Sequence, residues 1–232
     1  MLFSPPLIEG VLVRRYKRFL ADIELADGRL VVAHCANTGS MTGLAQPGMA
    51  VLLSQSDNPK RKLSYSWEMS LADGTWVGIN TSRTNPLVRE AWEAGKIPSL
   101  AHYETLRSEV PFGQKSRLDF LLTDHDHSRC FVEVKSVTLR RGDQLAFPDA
   151  VTQRGTRHLQ SLMEVTAQGD RAVLFFLAQR SDGAFFSPAA DIDPTYASTL
   201  QEAVRAGVEV MAWRCVLGKE GIDVTDPLPM EL

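Results

Sequence analysis

Three residues in this chain could do chemistry together: Asp119, Glu133 and Lys135. They lie in Ser116-Arg117-Leu118-Asp119-Phe120-Leu121-Leu122 and, after a short loop, in Cys130-Phe131-Val132-Glu133-Val134-Lys135-Ser136. Both segments have strand character. Side chains alternate between faces along a strand, which separates Leu118, Phe120 and Leu122 from Arg117 and Asp119. It likewise separates Val132 and Val134 from Glu133 and Lys135. If the two strands pair, both carboxylates and the ammonium converge. Hard oxygen ligands beside an ammonium suit Mg²⁺ or Mn²⁺ and phosphodiester chemistry. The plainer reading is a same-face Glu–Lys pair on an exposed strand, worth little energetically. Against it stands the apolar setting of both segments, because a buried carboxylate needs a partner or a metal.

The elements that must position these groups divide the chain in two. Residues 1–83 read as short strands with tight turns and no pattern of helical length. Strand-like runs cover residues 7–14, 19–25, 29–34, 49–54, 65–71 and 75–79, with Asp27-Gly28 and Asp73-Gly74 as hairpin signals. This is the pattern of a small barrel. An OB-like β-barrel fits its size, and periodicity alone does not separate it from an SH3-like one.

The pattern changes at Thr84-Asn85-Pro86, where Asn85 is expected to cap a helix with Pro86 at its first position. A second helix is expected over residues 99–107. Strands follow over 117–123 and 130–139, then a helix from about Thr152 to Val165 with Leu159, Leu162 and Met163 on one face. Residues 171–179 read as a buried central strand. A helix opened by Asp193-Pro194 and a strand over 208–216 complete residues 84–232, an α/β layer with helices on a mixed sheet.

Bulk properties bound the partners. The chain has 232 residues, 44% hydrophobic and 23% charged, with net charge −3, which excludes a uniformly basic nucleic-acid coat. Three widely spaced cysteines, Cys35, Cys130 and Cys215, argue against a disulfide framework and for a reducing compartment. The start of the chain lacks the features of a signal peptide. The longest wholly apolar run, Ala172 to Ala178, is far too short to span a bilayer. A cytoplasmic protein without a membrane partner is expected, with its oligomeric state left open.

Several segments, taken as an ordered set, resemble the sugar fermentation stimulation protein A (SfsA) family. They are His34-Cys35-Ala36-Asn37-Thr38-Gly39-Ser40-Met41, Asn58-Pro59-Lys60-Arg61-Lys62, Ser116-Arg117-Leu118-Asp119-Phe120, Glu133-Val134-Lys135-Ser136-Val137-Thr138-Leu139, Phe147-Pro148-Asp149-Ala150 and Thr152-Gln153-Arg154-Gly155-Thr156-Arg157-His158-Leu159. One departure is Ala36, where the family usually has proline. Asp119 followed by Glu133-Val134-Lys135 also looks like the core of PD-(D/E)XK phosphodiesterases. The resemblance implies an α+β two-domain protein, an N-terminal OB-like β-barrel followed by a PD-(D/E)XK nuclease-like α/β domain with a mixed central sheet. It implies DNA binding, with RNA as the other candidate polymer, and Mg-dependent nuclease activity. The alternative is a non-catalytic, largely sequence-nonspecific DNA-binding regulator of sugar (maltose) metabolism genes; a hydrolase of a small phosphorylated molecule is a third reading.

Within that resemblance, Asp119 and Glu133 hold the ion, the Val134 carbonyl completes its shell, and Lys135 orients water or neutralises phosphate. Glu109 is a further ligand candidate from a helix end, with Glu104 as its competitor. Arg154 and His158, four apart on one helical face, could meet a phosphate, or could form a solvated helical pair. Nucleic-acid contacts are expected from Lys60, Arg61 and Lys62 beside Tyr65 and Trp67, from Arg14, Arg15, Lys17 and Arg18 around Tyr16, and from Arg117. His34 reads as a structural turn histidine, and His125 and His127 as parts of a hydrophilic loop.

Overall fold

A computed structural model of the chain describes residues 1–113 and 116–232. Six strands open it: β1 (Ile8–Tyr16), β2 (Leu20–Leu25), β3 (Leu30–His34), β4 (Ala50–Gln55), β5 (Tyr65–Ala72) and β6 (Thr75–Gly78). They run in the order β3-β2-β1-β4-β5-β6, and a parallel pairing of Ala33 with Tyr65 and His34 with Ser66 closes the first five into a barrel. This is the OB arrangement, and closure leaves those five strands without an open edge. The predicted Asp73-Gly74 hairpin is formed. Both residues have positive φ, 51° and 77°, between the paired Ala72 and Thr75, as a two-residue turn requires. Leu12, Ile23, Leu53, Trp67 and Val77 fill the interior.

The remainder comprises α1 (Thr84–Glu93), β7 (Thr105–Phe112), β8 (Ser116–Thr123), β9 (Arg129–Val137), β10 (Leu139–Arg141), β11 (Gln144–Phe147), α2 (Gln153–Ala167), β12 (Arg171–Ala178), β13 (Phe185–Pro188), α3 (Pro194–Arg205), β14 (Glu209–Gly218) and β15 (Gly221–Pro227). The main sheet has the order β15-β14-β12-β9-β8-β7. It is mixed: β9, β12 and β14 are parallel, while β7, β8 and β15 join antiparallel. As expected, the apolar run at 171–178 is a buried central strand. Its Leu174 and Phe176 pack under α2 and α3 with Leu159, Leu162 and Leu200. Phe175 and Leu177 pack on the other face with Leu87 and Val88 of α1 and with Leu52 and Met69 of the barrel. Barrel and sheet therefore share one continuous apolar core.

The structure corrects several expectations. Residues 99–107 do not form a helix. A single 3₁₀ turn, Pro98–Leu100, precedes β7. Leu100 and Tyr103, three apart, are both buried without a helix joining them. Strand β7 lies at the sheet edge, where one mostly polar strand is tolerated, so Arg107-Ser108-Glu109 concealed it. Strand β15 and the small sheet β10-β11-β13 were likewise not anticipated. Asn85 is not a cap; it sits in the first turn of α1, and the preceding 3₁₀ turn is capped by Asn80.

Two helices are tied together at one residue. Asp193, 3% exposed, accepts from Tyr196 N at 2.9 Å as the N-cap of α3 and from Thr152 N at 2.8 Å just before α2. Asp193→Ala removes a cap worth about 1 kcal/mol and strands a second N–H at a cost of about 1–3 kcal/mol. We predict a loss of roughly 2–4 kcal/mol in urea denaturation; a loss within error of zero would refute this account of the helix pair.

Candidate functional site

Strands β8 and β9 pair as far as Phe120 opposite Val132. Beyond that pair a side chain takes over from the ladder: Asp119 Oδ2 accepts from the Val134 N–H at 2.7 Å. Asp119 Oδ1 accepts from Asn85 Nδ2 at 2.8 Å. Glu133, 2% exposed, receives both Lys135 Nζ and His158 Nδ1 at its Oε1. Its Oε2 is buried with no hydrogen-bond partner. On the other side of the imidazole, Arg154 Nε donates to His158 Nε2 at 3.2 Å. Lys135 Nζ also lies 3.1 Å from His158 Nδ1, so the Glu133 carboxylate, the ammonium and the imidazole meet at one point.

Burial and the neighbouring Glu133 charge push the Asp119 carboxyl above its ordinary range, against the pull of the Val134 N–H, Asn85 and Lys135. Burial also pushes Glu133 upward, but the contacts from His158 and Lys135 outweigh it and leave Glu133 below its ordinary range. The two acids are thus driven apart, with Glu133 the more firmly ionised and Asp119 the readier to take a proton.

These groups face a cavity of about 450 Å³. Its walls come from both halves of the chain: Arg18 and Asn37-Thr38-Gly39 of the barrel, Thr84 and Asn85 of α1, and residues 146–152, Arg154 and His158 opposite. The donor set suits a hard divalent cation. Two carboxylates and a nearby backbone carbonyl match ions that keep several waters, and the unpartnered Glu133 Oε2 is a buried acceptor of the kind such an ion satisfies. Among the described residues, no group of three or more His, Cys, Asp or Glu is placed to hold a metal. A site here therefore rests on the carboxylate pair.

Asp119, Glu133, Val134, Lys135, Arg154 and His158 are brought together, and Arg18 joins them from the barrel. Other candidates stand apart. Glu109 lies in β7 rather than at a helix end, exposed, with φ 54°. Glu104 is also exposed. Arg117 is exposed on β8. Arg14 pairs with Asp22 at 2.7 Å, and Lys17 is exposed in the β1–β2 turn. Arg15 donates to the carbonyls of Arg18, Asn37 and Gly39. Lys60, Arg61 and Lys62 are exposed in one loop, with Arg61 Nη2 on Ser66 Oγ at 2.8 Å. Trp67 is fully buried and donates to the Met69 carbonyl, so it offers no stacking surface beside that loop. His125 pairs with Asp126 in an exposed loop. Asn85 and Asp149 were missed as site residues. Nothing in local spacing marks Asn85, whose amide is aimed at Asp119 only by the packing of α1.

A closed OB barrel, joined to a mixed sheet that carries two acids and a lysine at the splayed ends of adjacent strands, defines an OB domain followed by a PD-(D/E)XK nuclease-like domain. The family description "SfsA N-terminal OB domain" matches residues 13–79, and "Sugar fermentation stimulation protein RE domain" matches residues 82–221. The chain belongs to the SfsA family. It is 54% identical over 230 residues to the sugar fermentation stimulation protein homolog of Geobacter sulfurreducens, covering 99% of this chain and 98% of that one. It is 50% identical over 232 residues to the homolog of Paramagnetospirillum magneticum, covering 100% and 98%. The structure of Pyrococcus furiosus SfsA in complex with Ca²⁺ matches with a TM-score of 0.93 at 28% identity, covering 100% of this chain and 98% of that one. No helix among the described residues is long and apolar enough to cross a membrane.

The raised Asp119 carboxyl has a stability consequence. A group whose folded-state pKa exceeds its unfolded value stabilises the fold below the unfolded value, and that contribution is lost as pH rises through the folded value. Asp119→Asn removes this loss and can still pair with Val134 N and a flipped Asn85 amide. In EDTA the variant should melt above the native chain at neutral pH, with the difference shrinking as the pH falls toward the ordinary carboxyl range. A variant melting below the native chain at neutral pH would contradict the assignment.

Proposed function

We propose that this protein is a DNA-binding phosphodiesterase that depends on a divalent ion, Mg²⁺ or Mn²⁺, held by Asp119, Glu133 and the Val134 carbonyl. The observation that carries the reading is the buried Glu133 and half-buried Asp119 beside Lys135, with one Glu133 oxygen unpartnered, lining a cavity large enough for a phosphate and its sugar. The Ca²⁺ in the P. furiosus relative supports it. When bound, such an ion lowers the pKa of an attacking water and stabilises charge on phosphorus.

The chain's own residues supply the rest. Asn85 and the Val134 N–H fix the Asp119 carboxylate so that little reorganisation is needed at the moment of reaction. Lys135 carries positive charge into the cavity and can hold a non-bridging phosphate oxygen. His158, in contact with Arg154, holds Glu133 Oε1 and leaves Oε2 buried without a partner in the protein. We assign Arg154 to phosphate binding at the cavity wall.

Lys135→Ala and Asp119→Ala should each reduce cleavage of DNA by about a hundredfold or more while the circular dichroism spectrum stays native. Cleavage that survives both changes would remove the site from the mechanism. One observation favours a second reading, a non-catalytic DNA-binding regulator: Lys135 and His158 already compensate Glu133, so the cluster is electrostatically stable on its own. DNA affinity that ignores EDTA, with no cleavage of any polymer, would select it.

The exposed loop Lys60-Arg61-Lys62 is assigned to the phosphate backbone. Reversing all three to glutamate should weaken DNA binding and flatten the log–log salt slope by about two to three. An unchanged slope would remove the loop from the interface.

A further inference from the structure

On the phosphodiesterase reading, we infer that the substrate is unpaired DNA, admitted to the acidic site as a single strand, and that the barrel loop Asn37-Thr38-Gly39 is the element that keeps a duplex out. Size gives the first reason. The cavity, about 450 Å³, falls in the range of roughly 300–1,000 Å³ typical of pockets that enclose one small ligand. A duplex, whose major groove alone is about 12 Å wide, cannot bring its backbone to the floor of such a space.

The second reason is that the loop is fixed from every side. The Ala36 carbonyl accepts from Thr81 Oγ1 at 3.3 Å. Arg15 Nη2 donates to the Asn37 and Gly39 carbonyls at 2.9 and 3.1 Å. Arg18 donates from Nε and Nη2 to the Thr38 carbonyl at 3.0 and 2.6 Å. Across the cavity, Ser40 Oγ donates to the Asp149 carbonyl at 2.8 Å, and Met41 N donates to Asp149 Oδ2 at 3.2 Å. Gly39 lies so close to this acid that a Cβ there would sit 2.7 Å from Oδ2. A roof latched between the barrel and the 147–150 segment does not swing aside for a rod of DNA.

The third reason is the lining. Leu139, Ala146, Phe147 and Pro148 give one apolar wall suited to a base or sugar, while Arg18, Lys135 and Arg154 supply cations for the phosphates. Phe147 is held by edge contact with Tyr196 at 5.2 Å, so that wall is preformed.

The test compares three DNA molecules of one sequence with the full chain and Mn²⁺: a single strand, a duplex closed by hairpins at both ends, and the same closed duplex with an internal unpaired stretch. The single strand and the unpaired stretch should be cut, and the fully closed duplex at least about tenfold more slowly. Asp149→Ala, and the milder Ser40→Ala, should narrow that ratio by loosening the roof. Cutting of the closed duplex at a rate close to that of the single strand, with Asp119→Ala inactive, would overturn the inference and leave the phosphodiesterase reading intact. A ratio unmoved in a folded Asp149→Ala or Ser40→Ala would remove the loop as the barrier. If nothing is cut, the phosphodiesterase reading fails, and fluorescence anisotropy in Ca²⁺ decides the inference. Failure of the closed duplex to displace a bound single strand supports it, and equal competition overturns it.

Discussion

The site depends on one hydrogen bond, from the Val134 amide to the Asp119 carboxylate. Backbone pairing between β8 and β9 runs as far as Phe120 and Val132. Were the ladder to continue, the amide would be satisfied by backbone and the two strands would lie flush. The carboxylate takes that role instead. It satisfies a donor that would otherwise be buried and unpaired at a cost of about 1–3 kcal/mol, and it lets the strands part. The parting makes the cavity, and the same acid then lines it. A group that terminates the ladder and faces the ligand space cannot be shifted by relaxation of either strand alone.

The arrangement also explains why the two acids tolerate each other. Two carboxylates in one low-dielectric pocket repel, and each must find compensation. Glu133 finds it in Lys135 and His158, both converging on one oxygen. Asp119 is hydrogen-bonded by two neutral donors, Val134 N and Asn85, and feels Lys135 only at longer range, so it gives way first. The asymmetry leaves one oxygen of the more firmly ionised acid uncommitted. A cation would relieve both residues at once, which makes the empty-handed Glu133 Oε2 more informative about the site than the acidic motif itself.

Much of this was legible in the sequence. The central strand at 171–178 announced itself by unbroken apolarity, and the barrel by its Asp-Gly turns and short alternating runs. Strand alternation was enough to place Asp119, Glu133 and Lys135 together, but it does not hold through β8: Leu118, expected beside Phe120 and Leu122, packs instead with Leu121 and Phe131 on the opposite face. What was hidden had physical reasons. Strand β7 is an edge strand, so its residues carry little of the apolar signal that marks a buried one. Trp67 beside a basic loop resembles a stacking residue in one dimension, but its neighbours along β5 turn it into the barrel core. Asn85 precedes a proline, as a cap would, yet the 3₁₀ turn at residues 81–83 had already begun the helical path. Contacts set by the docking of one half of the chain on the other leave no local spacing to read.

That docking is what makes the cavity a property of the whole chain. Leu52 and Met69 of the barrel are buried in the same cluster as Phe175 and Leu177 of the central strand. Gly78 and Gln179 approach so closely that a Cβ on the glycine would lie 2.6 Å from the glutamine side chain, and their backbones are bonded at 2.8 Å. A shared dry core resists hinge motion, because any rotation of the barrel would open apolar surface to water at about 25 cal/mol per Å². The loop that the barrel places over Asp119 and Glu133 is therefore positioned by apolar packing behind it as much as by the arginines and Asp149 that grip its backbone. Separating the halves would leave the acids in place on the sheet but remove one wall of the space in which they act.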